Sequence, residues 1–480
     1  VAVLPVDKPQ ERADPRVVWS AYGYALIVAL CLGHFLLGLP IQLSDSFGQM
    51  LKLSASWGDL LVGEFTQRGY MRPLMWGQLK LVHDLSGGSY WAWFRGAHVV
   101  EVAVLSLLYV ALVRPRTVRD VIVLPLGFAV LTGMHTFQGT VREAFPLNHF
   151  MAVLLYCFAA AVLVIGEYRR WKDAAGVILF AVAALTIESG LLVWVILVGG
   201  VLVGARGMSR GGVAVLVLLL AGYFVLRFPI LGVGSPELIE RSSGFGFRIL
   251  DPPDLLARFG PNPYPFYLYN VVCSFLSVLL SEPTGGVFRL THQLLEGDLD
   301  AASLVTPIAS IGATALVFMF IWRRRAIWLQ RRFQRDDQLV ILFLFLLVAN
   351  AVISYPYVKD VVMSPAGAFF AVAVFVAARH ALAGLPAKAP AFAGAAAVAA
   401  FAVIGSAWAV RVVGMHVSLR SAAYVERNEW AYANISLQDD GVVVTDTEAV
   451  LLRTLRDDAM FVHPPPPPLA PPLRRLLQGE

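Results

Sequence analysis

Residues 174–198 read Ala174-Ala175-Gly176-Val177-Ile178-Leu179-Phe180-Ala181-Val182-Ala183-Ala184-Leu185-Thr186-Ile187-Glu188-Ser189-Gly190-Leu191-Leu192-Val193-Trp194-Val195-Ile196-Leu197-Val198. The apolar stretch runs on to 205 and is about ten residues too long for one ordinary membrane crossing, which takes about 20 residues to pass roughly 30 Å of hydrocarbon. A break at Glu188-Ser189-Gly190 resolves it into two spans. An ionisable group set between two apolar runs must face water, a cavity or a partner.

The same pattern recurs along the chain. Apolar runs fall at 17–40, 90–113, 121–138, 148–167, 174–187, 189–205, 212–232, 303–322, 338–355, 361–382 and 390–413, which makes eleven expected crossings. Composition agrees, because 58% of the 480 residues are hydrophobic, 15% are charged and the mean hydropathy is +0.68. One soluble core is excluded. The fold class expected is therefore all-α integral membrane.

The net charge of +5 does not point to nucleic acid, because the basic residues lie between apolar runs and form no single face. Arg114/Arg116/Arg119, Arg169/Arg170/Lys172, Arg206/Arg210, Arg323-Arg324-Arg325 with Arg331/Arg332/Arg335, and Arg379/Lys388 occupy alternate loops. Those loops are expected to be cytoplasmic. The alternation holds only if the apolar segment 266–282 does not cross, so it is read as re-entrant or interfacial. A multi-pass protein of the plasma (inner) membrane follows, with a cytoplasmic N-terminus (1–16) and an extracytoplasmic tail (414–480). The first span is too long for the h-region of a cleaved signal and is expected to remain as an anchor. Cys31, Cys157 and Cys273 have no metal or disulfide spacing.

Two outer loops, 41–89 and 233–302, exceed what a connection requires. The first carries amphipathic patterns around Phe47, Met50 and Leu51 and around Leu74, Trp76 and Leu79, which predict helices along the membrane surface. The second is turn-rich around Pro252-Pro253 and Pro261 to Pro265 and is expected to cover the outer mouth. The tail suggests a strand at 441–445 and ends in the extended run Pro464 to Pro468.

Polar residues concentrate where these segments meet the outer surface. Asp45 follows the first span, where its carboxylate could act as a general base or cap a helix. His135 to Glu143, including Arg142, is denser in polar groups than a turn needs, and Lys359-Asp360 puts a cation against the positive-inside bias. A phosphate-binding role would account for that cation. Glu101, within the second span, is read as structurally paired. No Walker loop, zinc spacing or catalytic-triad signature is present.

In order and spacing these elements resemble the GT-C superfamily of membrane glycosyltransferases over about 17–413. The likeness is to the group holding protein O-mannosyltransferases, their tetratricopeptide-bearing relatives and bacterial polytopic homologues. Ser44-Asp45-Ser46 stands where that family has an acid after its first span. Gly69-Tyr70-Met71-Arg72-Pro73-Leu74 resembles its Tyr-x-Arg-Pro-Leu stretch, the most specific match. Thr186 to Gly190 resembles its Lys-Glu-Ser-Gly element, with Ile187 at the basic position, and His135 to Glu143 its His-Pro loop, with Thr136 for proline. Tyr357 to Gly367 resembles its Arg-Tyr-x-x-x-Pro-Ser-x-Gly segment.

The resemblance implies sugar transfer from a polyprenyl-phosphate donor to a glycan, lipid or protein acceptor at the extracytoplasmic face, with inversion. Asp45 would be the base, and Arg72 and Lys359 would steady the leaving phosphate. His135, Arg142, Glu143 and Glu188 would bind or position substrate. Membrane lipid is an expected partner and nucleic acid is not; a divalent metal is left open. The competing readings are a surface-polysaccharide polymerase or ligase, a secondary transporter, and a non-catalytic relative. A transporter should show matching halves with broken helices at midplane, and no such repeat is visible.

Overall fold

The computed structural model describes residues 14–66, 71–142, 149–232, 252–262, 264–281, 287–299, 301–356, 358–384, 391–439 and 445–461. Among these residues the chain is helical throughout, with no strand. The strand expected at 441–445 lies, but for Thr445, outside the described residues, as does the proline run.

Helix α1 (Pro15–Leu36) starts where the Asp14 side chain accepts from the Arg16 amide at 2.9 Å and Pro15 supplies a preformed φ. Its buried face is a ladder of small residues, Ala21, Ala25 and Ala29, which lets α5 (Tyr90–Val113) pack closely. Among the described residues seven helices are long and apolar enough to cross a membrane, and up to nine if each of two bent pairs counts as one. The first bent pair is α6 (Val118–Gly133) with α7 (His135–Arg142), which turn 64° between them. The most enclosed crossing is 360–383, which contains α17 (Ser364–Ala383) and is buried on every side. Its run of Ala, Val, Phe and Gly packs against α6, α15 (Val305–Leu329) and α16 (Arg335–Ile353).

The bundle has two chemically different ends. At one end Arg324 donates to both Asp337 oxygens (2.8 and 2.6 Å), and Arg335 donates to the Leu112 carbonyl at 2.7 Å. There Arg379 also pairs with Asp336 and reaches the Val113 carbonyl. The ends of α5, α15, α16 and α17 that meet here carry the arginines expected on one side. At the other end Asn350 donates to the Val362 carbonyl at 2.8 Å, and Leu74 N–H donates to the Leu185 carbonyl at 3.1 Å. Large apolar side chains such as Leu218, Ile122 and Phe318 stand exposed between the two ends, as a lipid-facing surface requires. Trp19, Trp171 and Trp322 are exposed near the arginine end, at the level where indole rings settle in an interface.

The apolar segment read as non-crossing is α13 (Tyr264–Leu280), preceded by α12 (Pro252–Phe259) at a bend of 89°. Asn270 donates to the Tyr355 carbonyl just past α16, on the side away from the arginines. At its other end the Leu279 carbonyl accepts from Thr314, ten residues before Arg324 and so roughly 15 Å short of it along α15. Neither tie reaches the arginine end.

The long loop after α1 folds into helices α2 (Ser44–Lys52), α3 (Trp57–Thr66) and α4 (Pro73–Ser86). They form a second apolar core with Phe94, Trp430 and α19 (Asp446–Phe461). Residue 413 is no boundary, because α18 (Ala391–Asp439) runs through it for 49 residues. At 1.5 Å per residue that is roughly 73 Å, more than twice the hydrocarbon thickness. The far half of α18 is thus part of the cap over the bundle end. Lys80, buried in that cap, donates to the Leu53 carbonyl and Asp84 at 2.9 and 2.8 Å, and this bond holds the Asp84 carboxyl below its usual range.

Candidate functional site

Arg72 caps the start of α4 just before Pro73, in an unusual backbone conformation (φ −121°, ψ 50°). The chain is pinned there by the Leu74 to Leu185 hydrogen bond, which sets Arg72 beside the break between α9 (Arg170–Ala184) and α10 (Leu192–Leu202). The break is the short 3-10 turn Glu188–Leu191, where the sequence placed it. Gly190 is required in it, because a Cβ there would collide with the Ala183 carbonyl.

Glu188 receives two arginines, one on each oxygen. Arg72 donates from Nη2 and Nε to Oε2 at 2.6 and 3.1 Å. Arg227 donates from Nη2 to Oε1 at 3.0 Å and from Nη1 to the Tyr223 hydroxyl at 2.8 Å. Arg227 sits in the π-turn Leu226–Ile230 that ends α11 (Arg210–Val225), beside Pro229. Two guanidinium charges against one carboxylate leave the cluster one net positive charge. Beside it Gln78 donates to the Tyr156 hydroxyl and to Thr186 Oγ1, both at 3.2 Å.

A second polar group lies where α7 meets the turn Asp360–Met363. His135 Nε2 stands 3.4 Å from Asp360 Oδ1. Arg411 of α18, half-buried nearby, donates to the Gly133 carbonyl at 3.1 Å and to Ser281 Oγ at 2.9 Å. Lys359 is the extended residue that leads into the turn and is half-buried.

The structure thus joins Arg72 to Glu188, and sets His135 beside the residue that follows Lys359. Asp45 is the second residue of α2, whose N-cap is Leu43, so neither Ser44 nor Asp45 is the cap residue. The Asp45 carboxylate lies outside the described residues. Arg142 closes α7 with its side chain likewise undescribed, and Glu143 falls outside the described residues. Glu101 keeps one enclosed oxygen, Oε2, without a hydrogen-bond partner, so the pairing expected for it is not seen there.

Arg227 and Arg411 were not singled out in the sequence, and Asp360 entered it only as the neighbour of Lys359. Arg227 and Arg411 fall inside apolar runs at the end away from the basic loops, and each opposes the positive-inside bias. That displacement was the available signal. Among the described residues no three or more His, Cys, Asp or Glu side chains gather as a metal site. The cap holds a cleft of about 420 Å³ between α2, α19 and the α4–α5 turn, lined by Met50, Leu51, His83, Tyr90, Asp446 and Leu451 among others. None of its lining residues belongs to either polar group.

Comparison with protein families, with curated proteins and with solved structures gave no match.

Proposed function

We propose that the chain is a GT-C-type membrane glycosyltransferase that moves a sugar from a polyprenyl-phosphate donor to an acceptor hydroxyl, inverting the sugar carbon. In this reading α8 (His149–Ile165), α9 and α10 cross the bilayer with the longer helices, giving eleven crossings, and α13 does not cross. The arginine end faces the cytoplasm. The cap of α2, α3, α4 and α19 lies on the extracytoplasmic side, where nucleotide sugars are absent and a lipid-linked donor is required.

The observation that supports the reading best is the pair Arg72 and Arg227 on Glu188. The three residues come from three separate segments, and each lies beside a helix break at the end opposite the arginine-rich loops. A guanidinium has five N–H donors, and Glu188 and Tyr223 take only some of those on Arg227. The net positive charge and the remaining donors suit a phosphate monoester or diester. Glu188 holds the two planes in place and is itself a poor base, since both oxygens already accept from arginine.

Asp45, on the cap side of the bundle, is the proposed base for the acceptor hydroxyl. Arg72, Arg227 and Lys359 stabilise the charge that grows on the leaving phosphate. The proton moves from acceptor oxygen to Asp45 as the anomeric carbon–oxygen bond to phosphate breaks, and free polyprenyl phosphate is the second product. Incubating the purified protein with radiolabelled polyprenyl-phosphate sugars and a panel of acceptors tests this. Release of polyprenyl phosphate with transfer of label supports the reading; intact donor throughout the panel opposes it.

A further inference from the structure

His135 and Asp360 are brought together by the packing of α7 on the turn Asp360–Met363 and on the start of α17. Thr136, next to His135, packs against Gly367 in the first turn of α17, where a Cβ would run into its hydroxyl. The first turn of α17 and the start of α7 are therefore in direct contact. His135 Nδ1, His135 Nε2 and Asp360 Oδ1 are enclosed and have no hydrogen-bond partner, although Nε2 and Oδ1 are only 3.4 Å apart. Buried unpartnered polar atoms are few in folded proteins, and each carries a desolvation cost. Asp360 Oδ2 is not among the enclosed atoms, and the Asp360 side chain keeps 27% of its exposure. The pair is reached from outside through that second oxygen.

We infer that Asp360 and His135 bind a hydroxyl of the sugar being transferred. The carboxylate accepts the sugar O–H, and the imidazole N–H braces the carboxylate or donates to the sugar oxygen. The inference rests on the proposed donor, because Lys359, the neighbour of Asp360, is the cation assigned to its phosphate. A sugar joined to a phosphate at Lys359 lies beside Asp360. Arg411 is tied to Gly133 and Ser281, so it flanks the pair without closing it.

Binding to the purified full-length protein in detergent separates the two parts, using polyprenyl phosphate alone and polyprenyl-phosphate glucose, galactose and mannose. The bare lipid should bind the parent protein, Asp360→Ala and His135→Ala alike. One or more of the sugar lipids should bind the parent about tenfold or more tighter than the bare lipid, the size of a charge-assisted hydrogen bond. That increment should vanish in Asp360→Ala and shrink in His135→Ala. Should Asp360→Ala not fold, Asp360→Asn keeps the shape and should lose several-fold of the increment. An increment retained in these variants, or absent from the parent for all three sugars, overturns the sugar site and leaves the phosphate site standing. Failure of the bare lipid to bind the parent overturns both.

Discussion

Arg72 and Glu188, 116 residues apart, meet so that two N–H groups of the arginine point at one carboxylate oxygen, 2.6 and 3.1 Å away. The other oxygen belongs to Arg227. Arg72→Lys keeps the charge but not the planar fork, and lysine serves as a point charge where the fork is needed. Affinity for polyprenyl phosphate should fall about tenfold in Arg72→Lys and at least as much in Arg227→Gln. Unchanged binding in both variants would remove these arginines from the phosphate site.

Glu188→Gln should be costlier for the fold than either arginine change. It leaves two guanidinium groups facing each other at a site where the carboxylate side chain is 24% exposed. Removing one partner of a buried pair costs about 3–5 kcal/mol, and partial exposure brings the expected loss to about 1–3 kcal/mol. Reversible denaturation in mixed micelles measures it. A loss below about 0.5 kcal/mol, the range of ordinary surface changes, would mean that the three residues do not act as one network.

Much of this was legible in the sequence, and the limits have physical causes. Runs of apolar residues report helices across a bilayer directly, because each backbone group must be satisfied within its own helix. The break at Glu188 was visible because one charge and one glycine interrupt 174–205. Arg227 was not visible as a site residue, since it sits inside the run 212–232 and its acidic partner, Glu188, lies 39 positions away. The far half of α18 was missed because its pattern changes at residue 413, from lipid-facing alanines to a face that packs on the cap. A helix can continue through such a change when new partners cover it. Trp430 is the partner residue there, fully enclosed and donating to the Ile41 carbonyl.

Trp430→Ala should therefore loosen the cap and spare the bundle. Emptying so large a buried site costs roughly 3 kcal/mol or more. Amide exchange in α2 and α19 should quicken by about a hundredfold, while α17 keeps its protection. Equal loss of protection in α17 would show that cap and bundle unfold as one unit.

The orientation can be read with thiol labelling in a background without cysteine. Asp446→Cys, at the exposed start of α19, should react with a membrane-impermeant maleimide added to intact cells, and Arg331→Cys should react only after lysis. The reverse pattern would invert the topology and place the Glu188 cluster in the cytoplasm.

Asp45→Asn separates base from structure. Asp45 lies within the first turn of α2, where loss of a negative charge costs about 0.3–1 kcal/mol at most. Expression should hardly change, while sugar transfer should fall by about two orders of magnitude or more. Transfer at the parental rate would send the search for the base to Glu143 or Asp360.

The central claim is that this membrane bundle handles a sugar carried on a polyprenyl phosphate. A single-turnover assay tests it most directly, with purified protein, labelled polyprenyl-phosphate hexoses and pentoses, and a membrane extract as the source of acceptor. The account predicts label moving from one of these donors to an acceptor, with polyprenyl phosphate released in equal amount, and no movement in Arg227→Gln. Donors that remain intact and unbound beside folded parent protein, across the whole panel, would contradict it.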